Sequence, residues 1–112
     1  MIIKKIFAIA FVLVVTFQNV ENVGAWTRYG GDPSCGFVWK NEGEPAYRMQ
    51  FKAWSFGFIS ALNDLMQATW NNPPDEEGIW QAVVLHCRNN PLDDLYTATV
   101  AVWGQITQRQ TK

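Results

Sequence analysis

A single pair of cysteines constrains this fold more than any other feature. Cys35 and Cys87 are the only cysteines in the 112-residue sequence, and they lie about half the chain apart. There is no Cys-X-X-Cys redox motif. A zinc site needs about four ligands, and the two cysteines together with the single histidine, His86, are too few. Cys87 with His86 as its base is disfavoured because neighbouring helical side chains point about 100° apart. A structural disulfide is therefore favoured, and it would stabilise the fold by about 4 kcal/mol.

The first 25 residues have the organisation of an export signal. Lys4 and Lys5 form a positive start, residues 6–17 form an apolar stretch too short to span a membrane, and small residues at 23–25 offer a cleavage site. We expect a signal peptide at 1–25, a mature chain without stable membrane insertion, and a periplasmic or secreted location. Such a compartment is oxidising, which is the condition for a disulfide.

The expected mature chain is weakly acidic and rich in tryptophan. Loss of Lys4, Lys5 and Glu21 changes the formal net charge from −1 to about −2, so we expect no basic surface for nucleic acid. All six tryptophans lie after residue 25. A domain this small buries only about 60–65% of its unfolded surface. Large aromatic side chains and a disulfide are common ways to stabilise it.

Apolar spacing predicts an all-α fold, a small bundle of three main helices with one short N-terminal helix, stapled by the disulfide. The segment 26–45 contains many glycine and proline turns and is expected to be irregular, apart from a short helix at about 35–39. The helical domain is expected at 46–107. A polar tail at 108–112 is expected to fray.

The first main helix is expected at about 46–67. Gly57 lies within it, where glycine costs about 1 kcal/mol relative to alanine, and close approach of a neighbouring helix is the expected compensation. Apolar side chains recur every three or four residues and are expected to form one buried face: Tyr47, Phe51, Trp54, Phe58, Ala61, Leu62 and Leu65.

Prolines mark the starts of the other two main helices. Pro74 and the acids at 75–77 suit the exposed N–H groups of a helix start better than a metal ion. Asn90 and Pro91 are expected to cap and begin the third helix. The buried side of the second helix is expected to carry Ile79, Val83, His86 and Cys87. The third helix is expected to bury one continuous apolar seam formed by Leu92, Leu95, Thr99, Val102 and Ile106.

The residues contain no catalytic constellation. There is one histidine, no glycine-rich phosphate loop, and no carboxylate pair outside the expected helix starts. We therefore expect a protein that is not an enzyme and that uses no cofactor or metal. His86 lies near a helix end whose dipole favours an imidazolium, which makes it the candidate pH-sensing residue beside a purely structural interpretation.

The surplus of tryptophan allows two interpretations, core packing or a binding surface. Trp39, Trp70 and Trp80 are the candidate protein-binding residues, since together on the surface they would form a patch of interface size. If all six tryptophans are buried, binding loses this support. The expected partners are other periplasmic proteins, either unfolding clients or one cognate effector, and a second copy of the chain as a homodimer.

Two stretches resemble the small periplasmic HdeA/HdeB-like proteins: residues 54–63, WSFGFISALN, and residues 83–98, VVLHCRNNPLDDLYTA. The resemblance covers about residues 35–106. It implies a disulfide-linked helical fold and an acid-stress chaperone, a dimer near neutral pH that loosens in acid and binds unfolding proteins. Protonation of the carboxylates would leave a positive chain whose self-repulsion favours opening, while a disulfide prevents full unfolding.

Residues 78–92, GIWQAVVLHCRNNPL, with the amphipathic helix after them, are also similar to Rap1a/Tai-type periplasmic immunity proteins. Members of that family neutralise type VI secretion effectors. This second resemblance implies a specific inhibitor with one tight partner and no dependence on pH.

Overall fold

The computed structural model describes residues 30 and 32–110. Four α-helices occur in this part of the chain, and the only β-type pairing there is an isolated bridge between Ser34 and Asp94. The predicted all-α class, with three main helices after a short one, is confirmed. The expected signal peptide at 1–25 lies outside the described residues. The helices are α1 Cys35–Lys40, α2 Pro45–Leu65, α3 Glu76–Asn89 and α4 Leu95–Gln110.

The predicted disulfide is present and joins α1 to the last turn of α3. Cys35 and Cys87 are both fully buried, with their Cα atoms 4.4 Å apart. Backbone hydrogen bonds extend this junction: the N–H of Cys35 donates to the Asp93 carbonyl at 2.7 Å, and the N–H of Leu95 donates to the Pro33 carbonyl at 2.9 Å. The segment before α1 is therefore fastened to the connection between α3 and α4.

This pairing displaces the start of α4 from its predicted position. Asn90 ends α3, and Asp94 is the residue that caps α4, accepting from the Thr97 N–H at 2.8 Å. The prediction that Asn90 and Pro91 begin this helix is wrong, because the carbonyls of residues 91 and 93 accept hydrogen bonds from the segment around Cys35 instead of from a helix. Leu92 is consequently 99% exposed rather than part of the apolar seam.

The core surrounds α4, which packs against both α2 and α3, while α1 packs mainly against α3. Contact between α2 and α3 themselves is slight. The remaining predicted seam of α4 is buried as expected, and so is the predicted side of α3 except for the half-buried His86. Besides the cysteines, the buried apolar side chains are Val38, Phe51, Ile59, Ile79, Trp80, Val83, Val84, Leu95, Ala98, Val102 and Ile106.

A narrower face of α2 is buried than the apolar spacing predicts. Phe51, Ser55 and Ile59 are its buried residues, spaced four apart. Tyr47 and Leu65, both predicted to be buried, are 42% and 76% exposed, and Ala61 is exposed as well. The predicted face is wrong at these three positions, because spacing fixes the direction of a side chain around the helix but not whether a neighbouring element covers it.

Gly57 lies on the exposed side of α2. A Cβ built there would meet no atom within 4 Å, so the predicted close approach of a neighbouring helix is wrong. Nothing in the described structure explains the presence of a glycine at this position.

The C-terminal end of α4 is ordered by a side-chain contact with the connection before α3. The Gln110 amide accepts from the Asn72 N–H at 2.7 Å and donates to the Asn72 carbonyl at 2.9 Å. The helix therefore continues to Gln110, and the fraying expected at 108–110 is not observed. Residues 111 and 112 lie outside the described part of the chain.

Candidate functional site

The three candidate tryptophans have different surroundings. Trp80 is fully buried, and its indole N–H donates to the Glu42 carboxylate at 3.1 Å. Trp70 is half-buried, and its indole N–H donates to Thr107 Oγ1 at 3.1 Å. Trp39 is 45% exposed. The structure does not bring the three together on one surface. The prediction that Trp80 is a surface residue is wrong. Trp80 belongs to the core, because it lies on the buried face of α3 and the Glu42 carboxylate accepts the hydrogen bond of its indole N–H.

Trp39 lies beside the disulfide. It follows Cys35 by four residues in α1, and Arg88 directly follows Cys87 in α3. The guanidinium of Arg88 lies over the Trp39 ring, with its Cζ atom 5.1 Å from the ring centroid. A cation over an aromatic face contributes about 0.5–1 kcal/mol at an exposed site. The disulfide therefore holds together the two backbone segments that carry this cation–π pair.

Two further exposed residues adjoin this pair. Lys40 is the next residue of α1, and Leu85, which is 54% exposed, precedes Arg88 by three residues and so shares its side of α3. We call these four residues, Trp39, Lys40, Leu85 and Arg88, the Trp39 surface. It combines apolar side chains with two positive charges.

A second apolar region lies where α1 meets α2. The Phe37 ring contacts the edge of Tyr47 at 5.3 Å between centroids, and Tyr47 stacks on Phe51 at 5.7 Å. Phe37 and Tyr47 are each about two-fifths exposed. Neither was predicted to be a binding residue. A signal for Phe37 exists in the sequence, since it lies two residues, or about 200° of helical rotation, from the buried Cys35.

A third aromatic group joins α2 to α4. Trp54 stacks on Phe58 with nearly parallel rings 5.6 Å apart, and Phe58 meets the edge of Tyr96 at 5.1 Å. All three side chains are half-buried. Trp54 and Phe58 were expected to be buried on α2, and instead they form a packed rim beside the core with Tyr96 of α4.

An ion cluster ties the start of α3 to α2. Glu77 pairs with Lys52 at 2.7 Å and with Arg48, and Arg48 Nε also lies 3.3 Å from Glu42. The hydrogen bond from Lys52 and a second from Gln81, helped by the charges of Arg48 and Lys52, hold the pKa of the Glu77 carboxyl below its ordinary value of 4.5. Few backbone positions of α2 and α3 approach each other, and this Glu77 cluster links the two helices directly through side chains.

His86 lies at the opposite end of α3 from Glu77. Its Nε2 atom is 2.8 Å from Asp93 Oδ2, which links the last turn of α3 to the connection before α4. The contact is an ion pair whenever the imidazole is protonated. The residue predicted to sense pH therefore has a carboxylate partner close to the disulfide.

Among residues 30 and 32–110, no three His, Cys, Asp or Glu side chains converge as metal ligands do. The described helices include none that is both long enough and apolar enough to cross a membrane. Comparison of the chain with protein-family models, curated proteins and solved structures gives no match.

Proposed function

We propose that this chain is an exported, non-enzymatic protein-binding domain of the HdeA-like kind. The observation that supports this best is a disulfide-closed core that leaves large apolar side chains uncovered. Exposed apolar groups, with aromatic residues and arginine among them, are typical of protein-binding surfaces. Within residues 30 and 32–110, eight large apolar side chains are each more than two-fifths exposed: Phe37, Trp39, Tyr47, Met49, Leu65, Met66, Leu85 and Leu92.

The first form of this proposal is an acid-stress chaperone of the periplasm. The Glu77 cluster supports it, because protonation of Glu77 removes the negative charge that holds Arg48 and Lys52 of α2 against α3. Loss of this link would weaken the attachment of α2, whose buried side, with Phe51 and Ile59, also packs on α4. The disulfide would keep α1 attached to α3, so opening would expose apolar surface without full unfolding.

Acid exposure of apolar surface tests this form directly. Binding of an apolar dye and suppression of client aggregation are measured between pH 7 and about pH 2, with sedimentation to follow dissociation of the proposed homodimer. We expect both signals to rise below about pH 3, where carboxylates are protonated. An unchanged dye signal together with no protection of the client would contradict the chaperone form.

His86 supplies a separate pH test. The imidazole lies 2.8 Å from the Asp93 carboxylate, at the end of α3 that the disulfide holds. If His86 senses pH, the acid-induced dye signal of His86→Gln should differ from that of wild type. Identical profiles would leave His86 with a structural role alone.

The second form is a specific immunity protein of the Rap1a/Tai type. The Trp39–Arg88 pair favours it, because a cation–π pair set beside a disulfide is a preformed surface at neutral pH. The test is purification with effectors encoded by neighbouring genes at pH 7. We expect one tight, stoichiometric complex that is insensitive to pH, and the absence of a complex with any of them would contradict this form.

A further inference from the structure

We infer that the Trp39 surface docks an acidic and apolar segment of a partner protein. In this arrangement a partner carboxylate pairs with Arg88, with Lys40 as a second cation, and a partner apolar side chain packs on Trp39 and Leu85. This inference rests on the proposed protein-binding function and adds to it the surface used and the chemistry of the partner.

The positive charges of the Trp39 surface are available. Across residues 30 and 32–110, neither Lys40 nor Arg88 has a carboxylate within ion-pair distance. Glu42, the first acid after Trp39 in the sequence, is already engaged by Arg48 and by the Trp80 indole. The surface therefore presents uncompensated positive charge on a chain whose net charge is −1, and an acidic partner complements it.

The Trp39–Arg88 geometry suits a carboxylate. The Arg88 guanidinium carries five N–H donors, more than its one contact with the Trp39 ring can occupy. Two of them can bind both oxygens of one carboxylate, which is among the stronger hydrogen-bonding arrangements in proteins. The Trp39 ring lies next to Arg88, and Leu85, three residues before Arg88 in α3, adds apolar surface.

The backbone beneath the surface is already fixed before a partner arrives. Cys35 and Cys87 are bonded, and the N–H of Gly36 donates to the Pro91 carbonyl at 3.0 Å in the same junction. Trp39 and Arg88 extend from these two fastened segments. Little backbone ordering is then required on binding, which reduces the entropic cost of the complex.

The probe is a fluorescent peptide of about ten residues that alternates Asp or Glu with Leu or Phe. The matched control peptide carries Asn and Gln in place of the acids. Both are titrated into the oxidised chain at pH 7, and anisotropy gives the dissociation constants. A labelled oligothymidylate serves as a third probe, since a tryptophan next to cations also suits stacked bases. We expect the acidic peptide to bind at least about tenfold more tightly than its amide control, as one charge-assisted hydrogen bond predicts.

Substitutions locate the binding site. Arg88→Gln and Trp39→Ala should each weaken acidic-peptide binding by about tenfold or more. Arg109→Gln removes the same charge from an exposed position on α4, and Met49→Ala removes an exposed apolar side chain from α2. These two controls should bind like wild type, and circular dichroism should show that all four variants are folded.

Several outcomes would overturn the inference: equal binding of the amide peptide, equal loss in Arg109→Gln and Arg88→Gln, or tighter binding of the oligonucleotide. If the acidic peptide fails to bind while the chain protects clients in acid or binds an effector, the protein-binding proposal survives and this surface assignment fails. If the peptide binds as expected while neither of those activities is found, the surface assignment stands, and the chaperone and immunity forms both fail.

Discussion

The hydroxyl oxygens of Ser55 and Thr99 lie 3.1 Å apart in the core, where both side chains are fully buried. Thr99 donates its only hydroxyl hydrogen to the Leu95 carbonyl at 2.7 Å. Ser55 is therefore the donor in the contact between the two residues. The pair favours one position of α2 on α4, since a shift between the helices would separate the buried Ser55 hydroxyl from its acceptor.

Removing one member of this pair should cost more than removing both. Thr99→Val leaves the Ser55 hydroxyl buried without its acceptor, and we expect a loss of about 1–3 kcal/mol in the free energy of unfolding. The double variant Ser55→Ala/Thr99→Val should recover part of that loss, because no unpaired hydroxyl remains. Urea titrations of the two single variants and the double variant measure the coupling. Strictly additive losses would show that the contact contributes nothing.

Gly57→Ala should stabilise the protein by about 1 kcal/mol. The position is exposed within α2, a Cβ there meets no atom within 4 Å, and alanine has the higher helix propensity. Gly78→Ala is the contrasting variant, because its Cβ would lie 2.7 Å from the Asp75 oxygen that caps α3. We expect a smaller gain or a loss there. The midpoints of thermal unfolding compare the stabilities of the two variants. Destabilisation by Gly57→Ala would show that the glycine itself is required.

Glu77 should make stability fall in acid. Its folded-state pKa is lowered chiefly by the Lys52 hydrogen bond, so its stabilising contribution is complete above the ordinary value of 4.5. That contribution is lost as the pH falls below 4.5 and through the lower folded pKa. Unfolding free energy measured against pH should therefore decline less steeply in Glu77→Gln than in wild type.

The control for Glu77 is its neighbour in the first turn of α3. Glu76 has no ion pair with another described residue, so Glu76→Gln should retain most of the wild-type acid decline. If Glu76→Gln flattens the curve as much as Glu77→Gln does, the effect belongs to the helix start in general rather than to the contact with α2.

Loss of the disulfide should remove much of the stability. Cys35→Ala/Cys87→Ala should unfold about 4 kcal/mol more easily, as loop-closure entropy predicts for a separation of 52 residues. That is a large share of the 5–15 kcal/mol typical of small domains. Denaturant unfolding with and without reductant measures it, and mass spectrometry after thiol labelling should find no free cysteine in the oxidised protein.

Local signals in the sequence predict the helices well, while the coverage of their faces depends on distant residues. Pro74 and Asp75 predict the start of α3, because the cap uses atoms only three residues apart. The start of α4 is not predictable in this way. Its displacement to Leu95 comes from hydrogen bonds with residues about 60 positions earlier, around Pro33 and Cys35.

The sequence predicts only part of the candidate site, because that site also depends on residues distant in the sequence. Trp39 is exposed as proposed, but the spacing that makes Trp80 a surface candidate does not reveal Glu42, which satisfies its indole inside the core. The partner that completes the site, Arg88, lies 49 positions from Trp39 and meets it because the cysteines are joined. A pairing of this kind follows from the fold and not from either local sequence.

The position of the disulfide beneath Trp39 and Arg88 ties assembly of this surface to the chemistry of the surroundings. A newly made chain in a reducing environment has the same side chains, but the segments that carry them are not yet joined. Oxidation would therefore precede the proposed recognition of a partner by this surface, and that oxidation requires surroundings that supply an electron acceptor.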